Sequence, residues 1–449
     1  MQDEYTTNQP EYQDGPEILH DLTPSGKERP WRQWKLDAEL LAEAYWMAST
    51  QTDDPAESIN WQRRADLVRT CATHPVFERH VSPEGSTLTL QSANLCKDRL
   101  CPLCQWRRSL KMAAQARAVV AEVDRRKVSK DGTAYAWLLI TLTQRNVPGP
   151  VLGAEIDTIL QAFRRLTHSK RWKGAIRGWL RVVEVTRNNN PKSPWCGTYH
   201  PHIHALCAVP RRYFKSDAYI SQEELSLTWS HLMQLHRPAV VDIRRVTQKG
   251  QIIEDKQTKA QSLGAAVAEV AKYAAKPGSY LLASDLDATV EAVTDLAAAL
   301  AGRRLTAWGG VCKEAAQALR LDSIESGDLV HVDEQSSASV PADAVSQYIA
   351  AHWAVGLRNY VISGRYDAPA SWAAAAAAAK DREGLRPLKR HNQVEDMQRA
   401  QAKIHRLQSA AGTRIANRAI KAHDGYTMGL LEEIANAQEE SKKTVPGST

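Results

Sequence analysis

The sequence predicts an α/β fold on three observations: short β-rich apolar runs, apolar residues at helical spacing around them, and turn signals between the two. Ala136–Thr143 (AWLLITLT) lies between Asp131-Gly132 and Pro148-Gly149-Pro150, which predicts a buried strand. Ile156–Leu166 has helical spacing and a basic end. Trp179–Thr186 (WLRVVEVT) alternates, with Leu180, Val182, Glu184 and Thr186 on one face and Arg181, Val183 and Val185 on the other. After the turn signal Asn188-Asn189-Asn190-Pro191, Tyr199–Val209 (YHPHIHALCAV) predicts a strand antiparallel to it. Leu263–Lys276 predicts a helix stopping at Pro277-Gly278, and Thr289–Leu300 another; Gly309-Gly310 breaks the chain before Lys313–Leu321. Leu36–Met47 predicts one short amphipathic helix near the start. Residues 1–25, with Pro10, Pro16 and Pro24, predict a disordered acidic tail. Ser336–Val340 reads as a linker; Asp343–Tyr360 and the Ala/Lys/Arg/Gln-rich stretch to about residue 440 read as largely helical.

Composition narrows the class. With 449 residues, 24% charged and 43% hydrophobic, the chain is ordinarily globular, of two to four structural units; collagen-like, disulfide-dense and wholly disordered classes are excluded. No apolar run approaches the roughly 20 residues a bilayer span needs, and the Ala373–Ala379 tract is too short. The first 20 residues lack a basic cluster and an apolar core, so no secretory signal is expected. Seven cysteines without a signal predict a cytoplasmic protein whose thiols are reduced, catalytic or metal-bound. Residues 1–60 hold 4 Lys/Arg against 13 Asp/Glu, whereas the rest hold 54 against 38. A basic body of that size favours an anionic partner, nucleic acid first.

Cys96, Cys101 and Cys104 lie in C-x4-C-P-L-C, and the C-x2-C spacing lets two thiolates reach one ion around a tight turn. Cys71 completes a four-thiolate structural zinc site across a hairpin, with His74 as the substitute fourth ligand. Arg107 and Arg108 follow where a zinc knuckle can press cations on phosphates. Cys196, Cys207 and Cys312 have no partner spacing.

His200-Pro201-His202-Ile203-His204 is the sharpest motif. Residues two apart on a strand share a face, so His202 and His204 can present imidazoles to one ion, with His200 of the same parity beside the disruptive Pro201. Glu184 on the neighbouring strand is the third candidate ligand, or else an ion-pair partner of Arg181 or Arg187. Two imidazoles and a carboxylate with open positions suit a catalytic divalent ion. On the expected helix, Glu269, Tyr273 and Lys276 fall at i, i+4 and i+7, on one stripe. A tyrosine can attack phosphorus where a metal holds the phosphate, and a glutamate one turn away can activate water. Arg164, Arg165, Lys170, Arg171, Lys173 and Arg177, beside Trp172 and Trp179, suit single-stranded nucleic acid.

From about residue 70 to 332 the chain resembles the replication initiator (Rep) proteins of rolling-circle plasmids, within the HUH endonucleases. The resemblance rests on CKDRLCPLCQWRRS, LLITLTQRNVPG, RVVEVTRNNN with YHPHIHALCAV, and EVAKYAAK, in that order. It implies a central antiparallel sheet of about five strands with the histidine strand in its middle. It also implies His202 and His204 as ligands of Mg2+ or Mn2+, Tyr273 as DNA-attacking nucleophile and Lys276 as its cationic assistant. Glu269 matches the branch in which a glutamate ends replication by hydrolysis. The implied partners are single-stranded or hairpin origin DNA, host helicase and host polymerase, with no membrane and the oligomeric state open. Domains follow as an acidic extension (1–60), a zinc module with a basic helix (61–130), the nuclease domain (131–332), and a linker with a helical basic end (333–449). A conjugative relaxase and a zinc-dependent repressor are the alternative readings. Tyr280 is the second candidate nucleophile.

Overall fold

The computed structural model describes residues 15–23, 25–82, 85–126, 135–247, 260–272, 274–332 and 345–366. All belong to one compact unit, Met1–Pro369. In chain order its elements begin with α1 (Trp31–Gln51), α2 (Pro55–Arg69), β1 (Val76–Ser82), β2 (Gly85–Ser92), α3 (Pro102–Arg126) and β3 (Tyr135–Thr143). Then come α4 (Gly149–His168), α5 (Lys170–Ala175), β4 (Gly178–Arg187), β5 (Tyr199–Pro210), α6 (Gln222–Leu232), β6 (Val241–Thr247) and β7 (Ala260–Ser262). The described part ends with α7 (Leu263–Val270), α8 (Pro277–Tyr280), α9 (Leu286–Leu300), β8 (Thr306–Gly309), α10 (Gly310–Ala318), β9 (Val345–Ala354) and β10 (Asn359–Tyr366).

The main sheet has the order β7-β6-β3-β5-β4-β8. Five of its strands are antiparallel neighbours, and the short β7 adds to β6 in parallel. The histidine strand β5 lies between β3 and β4, as the sequence implied. Alternation along β3 fills two cores. Leu138, Ile140 and Leu142 face one core with Ile156, Phe163 and Leu296 of α4 and α9. Trp137 and Leu139 face the other with Val119, Val267 and Ala315 of α3, α7 and α10. The sheet is therefore covered on both faces, a three-layer arrangement. On β5, Ile203, Ala205 and Cys207 join the first core, which turns His202 and His204 toward the second.

A second, antiparallel sheet has the order β10-β9-β1-β2. Its β9 and β10 correct the helical expectation for Asp343–Tyr360. Ile349, Ala351 and Trp353 alternate into the core, and Phe77 of β1 pairs with Ile349. Alanine-rich composition favours a helix locally, but the distant β1 offers a ladder, and tertiary pairing wins. The acidic start is likewise engaged from Gly15 onward: Leu19 N–H donates to Tyr360 O at 2.9 Å, and Leu19 is buried. Residues 1–14, Ser336–Val340 and the Ala-rich end beyond Tyr366 lie outside the described residues.

The most consequential correction concerns Leu263–Lys276. Helix α7 stops at Val270, and Ala271 leaves the helical region at φ −94°, ψ 5°. The chain then runs beside β4: Val185 N–H donates to Ala274 O at 2.8 Å, and Ala275 bridges Val185 in parallel. Glu269 and Lys276 therefore do not share a helical stripe, and Tyr273 lies outside the described residues.

Candidate active site and metal centres

Glu184 and His202 face each other across the β4–β5 ladder, and His204 pairs with Val182 one step along. Glu184 Oε2 accepts from His202 Nε2 at 3.0 Å and from His204 Nε2 at 2.9 Å. The three side chains are buried, and one ligand atom from each lies within 4.8 Å of the others. Burial alone would raise the Glu184 pKa, but the hydrogen bonds from His202 and His204 and the charge of Lys272 hold it well below the usual carboxylate range. Behind the pair, His204 Nδ1 lies 3.1 Å from Thr141 Oγ1 on β3, which fixes the ring orientation. The donor set fits a divalent cation: two nitrogens and an ionised oxygen converge from a rigid sheet. His200 stands beside His202, ring centroids 5.4 Å apart, but outside the converging set.

From the end of α7, Glu269 reaches to 3.9 Å from His204 Nδ1 and pairs with Lys272 at 2.6 Å. Lys272 Nζ lies 3.7 Å from Glu184 Oε2, so its ammonium stands between two carboxylates. Lys272, which the sequence analysis did not single out, reaches the centre because the chain unwinds after Val270. Lys276, the expected cationic assistant, is exposed at the N-cap of α8. Tyr273 lies outside the described residues; its neighbour Ala274 is bonded to Val185, next to Glu184. Tyr280 is corrected as a candidate nucleophile. It is fully buried, and its hydroxyl donates to Leu100 O at 2.5 Å.

Cys71, Cys96, Cys101 and Cys104 come together as expected, while His74 stays outside the set. Sulfur separations are 3.6 Å for Cys71–Cys104, 3.6 Å for Cys96–Cys104 and 3.7 Å for Cys71–Cys101. A tetrahedron with metal–sulfur bonds of about 2.3 Å has edges of about 3.8 Å, whereas a disulfide needs about 2.05 Å. The spacing therefore fits one tetrahedral ion. Cys96 N–H donates to Cys71 Sγ at 3.4 Å and Lys97 N–H to Cys104 Sγ at 3.2 Å. Lys97 takes φ 59°, which turns the knuckle. Hydrogen bonds from the Cys101, Cys71 and Cys96 thiols hold the Cys104 thiol well below its usual range, while burial pushes Cys101 up. Beneath the cluster the buried Lys35 Nζ donates to Arg69 O at 2.6 Å and Cys71 O at 2.9 Å.

The basic residues divide. Arg107 is corrected as a DNA contact: it is 1% exposed and donates to Leu329 O at 2.9 Å and Val330 O at 2.6 Å. Arg108 staples the knuckle by donating to Asp98 O at 3.0 Å. Arg164, Arg165, Lys170, Arg171, Lys173 and Arg177 are exposed, and Arg171 pairs with Glu224 at 2.6 Å. Trp172 is buried, and Trp179 packs edge-on against Phe163, so these two indoles are core rather than stacking platforms. Of these, Arg177 adjoins Gly178, six residues along β4 from Glu184, roughly 20 Å at about 3.3 Å per residue.

Comparison with known proteins now decides the family. A model described as Replication protein matches residues 87–361. "Protein rep" of Bacillus amyloliquefaciens is 36% identical over 350 residues, covering 77% of this chain and 97% of that protein. This chain belongs to the replication protein family. "Protein rep" of Streptococcus pneumoniae is 33% identical over 353 residues, 78% of this chain and 96% of that protein. "Replication protein" of Staphylococcus aureus is 32% identical over 255 residues, 56% of this chain and 99% of that protein. No solved structure matches. The resemblance to plasmid replication initiators drawn from the motifs is thereby borne out, and with it a role in plasmid replication. Among the described residues no helix is long and apolar enough to cross a membrane.

Proposed function

We propose that this replication protein nicks one strand of plasmid origin DNA through Tyr273 and so initiates rolling-circle replication. The observation that carries the proposal is the convergence of Glu184, His202 and His204 on one sheet face, with Glu269 and Lys272 alongside. These three residues would hold Mg2+ or Mn2+, which when bound supplies Lewis-acid polarisation of the scissile phosphate. The Tyr273 oxygen forms a bond to phosphorus and the bond to the 3′ oxygen breaks. The phenolic proton passes to solvent, and the departing oxygen takes a proton to become the 3′-hydroxyl that a host polymerase extends. Lys276 supplies positive charge to the developing phenolate by family resemblance. Glu269 takes a proton from water after the second cut, so the final step is hydrolysis. Lys272 screens Glu269 and Glu184 from each other until DNA and the cation arrive. The four cysteines would hold zinc with no open position, a structural role. The exposed cations of α4 and α5 would follow the phosphates of DNA at the far end of β4. The test is nicking of the supercoiled parent replicon by the full chain. Relaxed circles form with Mn2+, and neither EDTA-treated protein nor His204→Ala produces them. Equal nicking in all three refutes the assignment.

A further inference from the structure

The connection between β4 and β5 is built with more care than a simple strand reversal needs. Its Asn188-Asn189-Asn190-Pro191 run folds it onto itself. Asn188 Oδ1 accepts from Asn190 N–H and Asn190 Oδ1 from Lys192 N–H, both at 3.0 Å. Asn188 Nδ2 donates to Ser193 Oγ at 3.0 Å, and Ser193 Oγ accepts from Trp195 N–H at 3.2 Å. Trp195 O accepts from Thr198 N–H at 3.1 Å, and Gly197, at φ +81°, donates its N–H to Asn188 O at 2.8 Å. Short polar side chains thus satisfy the backbone locally, and the loop keeps its shape without a core of its own. Two bonds tie it to its surroundings: Asn189 Nδ2 donates to Ser279 O of α8 at 2.9 Å, and Asn146 Nδ2 to Thr198 Oγ1 at 3.0 Å.

Trp195 is the unusual member. Its backbone is bonded on both sides, yet it is 56% exposed, the most exposed tryptophan among the described residues. Single exposed apolar residues are ordinary on a protein surface, so position decides the matter. The β4–β5 ladder ends with Arg187 opposite Tyr199, three rungs beyond Glu184 opposite His202. Those rungs span roughly 10 Å at about 3.3 Å per residue, and the turn from Thr198 back to Trp195 adds about 7 Å at most. Trp195 therefore stands at the ligand-bearing end of the sheet, whereas Trp172 and Trp179 are core. Cations accompany it there. Arg145, beside the tethered Asn146, and Lys192, on the same loop, are both exposed.

We propose that Trp195 stacks on one base of the single-stranded DNA beside the cleavage position, while Arg145 and Lys192 meet its phosphates. The inference rests on the single-strand nicking reading above and adds where the strand is gripped. Every base has a π face, and an exposed aromatic side chain flanked by cations is the pattern that holds single strands. Paired bases stack on one another and offer no such face, so the platform favours the unpaired strand. Because the loop is already bonded in place, little ordering cost offsets the contact. The bond from Asn189 to Ser279 holds the platform against α8, which begins directly after Lys276.

The experiment measures binding of the full chain in EDTA to two fluorescent probes, an oligothymidylate of about 20 nucleotides and a strand of the same length that is abasic throughout. Trp195→Ala should weaken oligothymidylate binding by roughly 5–150-fold and leave the abasic strand within about twofold, and Trp195→Phe should recover most of the loss. A merely structural role would lower both probes alike. On the unmutated protein, near-ultraviolet cross-linking of a 5-iodouracil-substituted strand should label Trp195, which keeps the test intact if Trp195→Ala fails to fold. Unchanged oligothymidylate affinity in folded Trp195→Ala, equal losses on both probes, or cross-links that bypass Trp195 overturn the proposal. Mn2+-dependent nicking of the parent replicon is scored separately. Binding in EDTA needs no cation, so a failed platform with intact nicking is distinguishable from a failed nuclease assignment.

Discussion

Removing the ion from the four-cysteine cluster is expected to unfold much more than a knuckle. The sulfur separations of 3.6–3.7 Å fall within about 0.2 Å of a tetrahedral zinc site. Structural zinc in small modules contributes about 10–16 kcal/mol of apparent folding energy, comparable with the roughly 5–15 kcal/mol that stabilises a whole domain. Cys71, Cys101 and Cys104 belong to the same continuous core as Trp31, Phe77, Leu138 and Ile203, so the loss spreads into the main sheet. If only a third of that energy is felt globally, about 3–5 kcal/mol, Tm falls by roughly 10 °C in a domain of this size. The assay titrates reduced protein with a mercurial while a colorimetric indicator counts zinc and circular dichroism follows melting. One zinc per chain, released with the loss of Tm, is the expected result. Freshly purified reduced protein containing no zinc, or an unchanged Tm after its removal, refutes the reasoning.

Lys272→Met should tighten Mn2+ binding. An ammonium 3.7 Å from Glu184, discounted to about 1 kcal/mol for its exposure, corresponds to roughly five- to tenfold, read by calorimetric titration, and weaker binding would contradict it. Glu269→Gln should leave initial nicking within a few-fold and impair termination, so that multimeric or linear replicon products accumulate on gels; normal monomer circles would return Glu269 to a plain ion-pair partner. Arg107→Ala leaves the Leu329 and Val330 carbonyls without donors, a loss of roughly 3–5 kcal/mol that lowers the urea midpoint. Single-strand affinity of the folded fraction should stay within twofold, and a tenfold loss at unchanged stability would restore Arg107 as a phosphate contact.

Legibility in the sequence followed the range of the interaction. His202, His204 and Glu184 were readable because strand parity is a local property, and the alternation in WLRVVEVT put Glu184 on the correct face. Cys71 was readable from ligand chemistry despite its distance, since three clustered thiols lack a fourth. The break after Val270 was not readable. Ala271, Lys272, Ala274 and Ala275 are good helix formers, and the free edge of β4 beyond β8, which takes up Ala274 and Ala275, overrides that propensity. β9 failed in the same way, because its partner β1 lies more than 260 residues earlier. Arg107 was misread because a basic run suggests a surface, whereas helical spacing places it one turn after the buried Leu103 and Cys104. The signal for Lys272 was present as an i,i+3 partner of Glu269, but its approach to Glu184 required the fold.

The central claim is that Tyr273 becomes covalently joined to DNA beside the His202–His204–Glu184 centre. Mass spectrometry of the tryptic digest after reaction of the full chain with a single-stranded origin oligonucleotide and Mn2+ tests it most directly. The account predicts a nucleotide adduct on the peptide containing Tyr273, absent from Tyr273→Phe and from His202→Ala. An adduct on any other residue, or one that persists at wild-type yield in Tyr273→Phe, contradicts it.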